Sequence, residues 1–120
     1  MIKITPQQQA LIENNPLAFA TTNKNGSPNV IAVACVKVVS KHDLLVTDNF
    51  MKHTVDNLKA NNSVALVVWN GDWKGLQING TAKYYRDGPW LEKVKGLEDN
   101  KDLPAKGAIL ISITDIKEIG

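Results

Sequence analysis

Six stretches dense in Val, Ile, Leu, Ala and Thr, each closed within a few residues by an Asn, Asp or Gly cluster, direct this chain towards antiparallel β structure. The clearest junction is Asn23-Lys24-Asn25-Gly26, whose Asn-Gly pair readily adopts the positive φ angles of a tight hairpin. Leu17 to Thr22 reads as the strand before it and Pro28 to Ser40 as a long strand after it. Lys37 is the only charge in that second stretch, so its first half is expected to be buried on both faces, as in a barrel or covered sheet. Lys41-His42-Asp43 turns the chain into a short strand, Leu44 to Thr47. Val64 to Trp69 is an apolar strand, and Asn70-Gly71-Asp72 turns it into a second long one, Trp73 to Arg86, with a bulge expected at Asn79-Gly80. After Gly107, Ile109, Ile111 and Ile113 alternate along a last strand, Ala108 to Ile113, as one buried face requires.

Helical signals are short. Thr5-Pro6-Gln7-Gln8 has a Thr N-cap, a Pro at the first helical position and a Gln positioned for a capping box, so a helix is expected to about Asn14, where Pro16 ends it. Asp48-Asn49 can cap a second helix from about Phe50 to Ala60, with Met51, Val55 and Leu58 on one face. A third is expected near Trp90 to Leu97, followed by a polar loop from Glu98 to Lys106. Strands joined mostly by hairpins, with helices at the ends, indicate a mainly β fold: a six-stranded antiparallel barrel with short flanking helices.

At 120 residues the chain has the length of a single domain, 1–120. Its longest apolar runs, Val30 to Val36 and Val64 to Trp69, fall far short of the roughly 20 residues of a membrane helix. The start lacks the pattern of a signal peptide, so a cytoplasmic location is expected. Cys35, the only cysteine, rules out an internal disulfide and a Cys-x-x-Cys metal or redox pair. Thirteen Lys and the single Arg86 against twelve acidic residues give a net charge of +2. That balance suits a small anionic ligand better than a nucleic acid, for which clustered Arg is usual.

The sharpest chemical feature is Asp48-Asn49-Phe50-Met51-Lys52-His53-Thr54, which places a cation, an imidazole and a hydroxyl at the start of a helix that follows a strand. Unpaired N–H groups and the positive end of the helix dipole attract anions there, and a phosphate monoester would be well satisfied. The plain alternative is a solvated helix start whose Lys52 pairs weakly with Asp56. Gln77 and Asn79 lie on one side of a strand between Gly75 and Gly80, as a ligand wall or a bulged edge strand. Of the three tryptophans, Trp69 is expected in the core and Trp73, beside a turn, at a ligand or interface. No motif for covalent catalysis or metal binding stands out, so any redox chemistry must belong to a bound cofactor. Lys83-Tyr84-Tyr85-Arg86 is too short a basic aromatic patch to carry nucleic-acid binding on its own.

Ala20-Thr21-Thr22 with Asn25-Gly26-Ser27-Pro28-Asn29-Val30, then Met51-Lys52-His53-Thr54-Val55-Asp56-Asn57-Leu58, then Gly75-Leu76-Gln77-Ile78-Asn79-Gly80-Thr81-Ala82 occur in one order and spacing. Together they resemble the pyridoxamine 5'-phosphate oxidase-like family of FMN-binding split barrels. The likeness is closest to the small FMN-binding proteins of anaerobic bacteria and runs from Pro16 to Ile119. It implies a six-stranded split barrel that forms a homodimer, with FMN in a groove at the subunit interface.

Carried over by position, the resemblance implies Ala32 and Val33 beside the isoalloxazine ring and Thr47 and Asp48 near the ribityl chain or phosphate. Met51, Lys52, His53 and Thr54 would form the phosphate end, Asn57 would brace that helix, and Gln77 would reach the ligand from a neighbouring strand. Small relatives tend to read Lys-Thr at the helix start; here Lys52 and His53 both precede Thr54, so either is the phosphate ligand. The chain lacks the extended C-terminal part through which the oxidase binds pyridoxamine phosphate, so vitamin B6 oxidation is not expected. The resulting expectation is a flavoprotein in electron transfer or a small flavin-dependent reductase or oxidase. Its alternatives are a split-barrel module for haem or a deazaflavin and, more remotely, a single-stranded nucleic-acid binder.

Overall fold

The computed structural model describes residues 2–120. Within them the chain runs α1 (Pro6–Asn14), β1 (Leu17–Thr22), β2 (Pro28–Val33), β3 (Val36–Ser40), β4 (Asp43–Asp48), α2 (His53–Ala60), β5 (Ser63–Trp69), β6 (Gly75–Tyr85), α3 (Pro89–Lys95), a 3-10 turn (Glu98–Asn100) and β7 (Gly107–Ile119). The helix starts at Thr5 as its capping box dictates: Thr5 N donates to Gln8 Oε1 at 2.9 Å, and Gln8 N to Thr5 Oγ1 at 3.1 Å. None of the described helices is long and apolar enough to cross a membrane.

All seven strands join one antiparallel sheet in the order β2-β1-β5-β6-β7-β4-β3. Its two edge strands, β2 and β3, are consecutive in the chain and linked only by Ala34 and Cys35. The facing ends of the edges therefore lie within roughly 11 Å of each other, and the sheet must curl until they do. A split barrel fits that arrangement, with the slot between β2 and β3.

The strand count corrects the expected six to seven, because the stretch from Pro28 to Ser40 is two strands. β2 pairs with β1 only as far as Val33 opposite Leu17. Before Leu17 stands Pro16, which has no N–H to extend the ladder. Beyond Val33 the chain leaves β1 and crosses to β4, where Val36 pairs with Val46. Nor is the first half buried on both faces: Val30 is 66% exposed and Ala32 also faces out. The final strand runs on to Ile119 because β6 offers it a partner over its whole length, apart from the bulge at Asn79 and Gly80. At that bulge a Cβ on Gly80 would collide with the Ser112 carbonyl.

The barrel interior is filled by Phe19, Leu44, Val46, Leu66, Ile78, Ile109 and Ile111, all inaccessible to solvent, with Ile12 of α1 closing one end. On the outer face of β4 and β7, Leu91 and Val94 of α3 pack on Leu45 and Ala108. Trp69, expected in the core, is 36% exposed, and Trp73 is 75% exposed in the turn before β6.

Candidate functional site

A cavity of about 510 Å³ opens at the slot. One wall is β2, with Asn29, Ile31, Ala32 and Val33; the connection adds Ala34 and Cys35. Thr47 of β4 and the residues from Asn49 to Thr54, leading into α2, form the opposite side. Asp99 of the 3-10 turn and Leu103 just after it complete the lining. Its size is that of a small-molecule or cofactor site.

The end formed by α2 gathers hydrogen-bond donors beside a lysine. The helix begins at His53, three residues later than the expected Phe50, and no side chain caps it. Its first N–H groups lack an intrahelical acceptor, and the positive dipole end points the same way. Lys52 and His53 stand exposed beside them, while Thr54 is 2% exposed.

Asp48 explains the late start. Its buried carboxylate turns away from the cavity: Oδ1 accepts from Met51 N at 2.8 Å and Oδ2 from the Tyr84 phenol at 2.6 Å. Lys106 Nζ lies 4.0 Å from Oδ1 and donates to the Met51 carbonyl at 2.6 Å. Asp48 is thus consumed in fixing the turn from Asp48 to Met51 and leaves the helix itself uncapped. Burial, and then the Asp48 carboxylate, push the Tyr84 phenol above its ordinary pKa.

The 98–106 segment is tied down as firmly. Asn49 and Asn100 exchange side-chain hydrogen bonds at 2.8 and 3.1 Å, and Asn100 is buried. Lys37 Nζ meets Asp99 Oδ2 at 2.9 Å, and that hydrogen bond raises the lysine's pKa although partial burial works against it. The pair offsets the one carboxylate on the cavity rim.

Of the ten residues singled out in the sequence, Ala32, Val33, Thr47, Met51, Lys52, His53 and Thr54 share this cavity. Three do not line it. Asp48 is the buried anchor just described. Asn57 Nδ2 donates to Thr21 Oγ1 at 3.0 Å and so straps α2 to β1. Gln77 lies on β6, outside the cavity lining, and donates to Asn79 Oδ1 at 3.0 Å.

Two buried side-chain atoms among the described residues have no hydrogen-bond partner, Asn29 Nδ2 and Thr47 Oγ1. Both residues line this cavity, on its two sides. Buried polar groups are normally paired, so a ligand with polar edges fits the wall better than a wholly apolar one.

A family model described as pyridoxamine 5'-phosphate oxidase matches residues 4–120. The chain belongs to the pyridoxamine 5'-phosphate oxidase family. Among family relatives, the uncharacterized protein MJ0282 of Methanocaldococcus jannaschii is 37% identical over 120 residues, covering 97% of this chain and 80% of that protein. HupZ of Group A Streptococcus has the same fold, with a TM-score of 0.89 at 20% identity over 97% of this chain and 94% of that one. An FMN-binding protein of Syntrophomonas wolfei superposes with a TM-score of 0.79 at 15% identity, covering 94% and 84%.

Sequence reasoning missed Asn29, Asp99, Leu103, Tyr84 and Lys106. Asn29 stands opposite Thr21 in the β1–β2 register, and cross-strand partners share a face. That placement was readable once the Asn25-Gly26 hairpin register was drawn. The other four reach the site from the second half of the chain, with no local signal.

Proposed function

We propose that the cavity holds FMN noncovalently, with the phosphate on the first turn of α2 and the ring against the β2 wall. The observation that carries this reading is the uncapped α2 start opening into a cavity with Lys52, His53 and Thr54 at its rim. Backbone N–H groups, the Thr54 hydroxyl and Lys52, His53 or both would meet the −1.5 to −2 charge that a phosphate monoester carries, a value typical near neutral pH. Ile31, Val33 and Phe50 supply apolar surface for a flat ring, and Thr47 supplies a hydroxyl that lacks an internal partner. Bound flavin would supply one- or two-electron redox chemistry; the chain would hold it, shield it and tune its potential. The function is then electron transfer or that of a small flavin-dependent reductase or oxidase.

The reading includes a homodimer with FMN at its interface. Val30, 66% exposed, and the outward-facing Ala32 put apolar surface on the outer face of β2, an edge strand with one side unpaired, the kind of surface a second copy covers. Gln77, outside the cavity of its own protomer, would reach the ligand from that second copy. A cytoplasmic location completes the reading, since the Cys35 thiol stays reduced there.

Titration of FMN into purified protein, followed by flavin absorbance and fluorescence, tests it. Wild type is expected to retain about one FMN per chain, and the combined Lys52→Ala and Thr54→Ala variant to bind at least tenfold more weakly, as loss of a charge-assisted contact implies. Equal affinity in the two proteins would sink the phosphate assignment; no binding to wild type would sink the cofactor.

A further inference from the structure

Asn29 carries no role in the reading above, yet its surroundings are specific. It lies in β2 opposite Thr21, whose buried hydroxyl accepts from Asn57 of α2. Cross-strand partners share a face, so the Asn29 side chain lies on the α2 side of β2, at the cavity. There its Nδ2 is shielded from solvent and has no partner. The one other buried side-chain nitrogen or oxygen in that state among the described residues, Thr47 Oγ1, belongs to β4, next to the opposite edge of the sheet. Two buried, unpaired polar atoms on residues that line one cavity from its two sides are what a ligand bridging the slot would satisfy once it seats against them.

We propose that Asn29 is a ligand-recognition residue, its side-chain amide donating a hydrogen bond to a carbonyl oxygen or unprotonated ring nitrogen on the edge of a planar heterocycle in the cavity. This rests on the cofactor reading given above and deepens it. The apolar residues of the wall hold any flat ring; Asn29 admits rings with an acceptor at that edge and penalises those without one. The phosphate end is distant in kind: it reads charge, whereas Asn29 reads the ring. The amide is therefore indifferent to whether the ligand is phosphorylated.

A donor held ready for a ligand has a signature that a structural donor lacks. Because nothing in the protein pairs with Nδ2, removing it costs the ligand-free fold nothing and relieves an unsatisfied group. Asn29→Leu, of similar size, is expected to leave the melting temperature of the ligand-free protein unchanged or higher. The same substitution is expected to weaken FMN and riboflavin by one common factor, roughly tenfold. Asn29→Asp keeps the shape and an acceptor but loses the donor, and is expected to weaken both ligands at least as much. Lys52→Ala in parallel is expected to weaken FMN and spare riboflavin.

Isothermal titration of FMN and riboflavin into the four proteins, with thermal melts of each without ligand, separates the outcomes. Wild type that binds neither flavin overturns the cofactor reading and this one with it. Wild type that binds FMN while Asn29→Asp and Asn29→Leu bind it equally well overturns the role of Asn29 alone. A loss confined to FMN would place the amide at the phosphate and overturn the ring contact, and a lowered ligand-free melting temperature in both variants would make Asn29 a structural residue.

Discussion

The Tyr84 phenol donates to the Asp48 carboxylate at 2.6 Å, joining β6 to the end of β4 across 36 residues of sequence. The same carboxylate caps Met51 N, so the tyrosine acts at one remove on the turn that presents Lys52, His53 and Thr54. Gly107 makes the contact available: a Cβ there would run into the Tyr84 ring and hydroxyl. Removing the phenolic hydroxyl leaves a buried carboxylate short of a donor. Tyr84→Phe is expected to lose about 1.5–3 kcal/mol of stability, the range for a hydrogen bond to a charged group. The folded phenol has a raised pKa, so the folded state keeps its proton where the unfolded chain has lost it. Its contribution is complete below the unfolded tyrosine value of about 10 and disappears as pH climbs through the raised folded value, at no more than ~1.4 kcal/mol per pH unit. Chemical denaturation between neutral pH and pH 11 should show that extra slope in wild type and not in Tyr84→Phe; parallel curves would exclude it.

Cys35 lines the cavity and is partly accessible, so a bound ring would stand between its thiol and solvent. Alkylation by a maleimide, followed by intact mass, is expected to proceed in the ligand-free protein and to slow at least several-fold with saturating FMN. Cys35→Ser should take no label under either condition. Equal rates with and without FMN would move the ring away from the β2–β3 connection.

The apolar outer face of β2 is exposed, so a charge placed on it does not disturb the barrel core. Val30→Lys is expected to leave the fold intact by circular dichroism, to shift the mass by light scattering from dimer to monomer, and to weaken FMN as the second half of its site departs. A wild-type protein that is monomeric at micromolar concentration would remove the homodimer from the functional reading, and a Val30→Lys protein that stays dimeric would move the interface away from β2.

Much of the fold was legible because its signals are local. Thr5 and Gln8 build their capping box within four residues, Asn25-Gly26 turns its hairpin, the isoleucines of the last strand alternate, and Asn79-Gly80 places the bulge where β6 meets β7. The cluster at the start of α2 was legible for the same reason: Lys52, His53 and Thr54 are adjacent, and a strand leading into a helix positions them together. The break after Val33 was hidden, because it depends on where β1 stops offering partners.

By itself, then, the sequence determined the alphabet of elements and one end of the site, since caps, turns and alternation are settled among neighbours in the chain. The tertiary structure alone decided which edge strands face each other across the slot, that Asp48 turns inward to Tyr84 and Lys106, and that Asn29 and Thr47 meet one cavity. Those relationships join residues many positions apart. Their physical basis is the pairing register and curl of the sheet, which decide the face each side chain occupies only once every strand has found its partner.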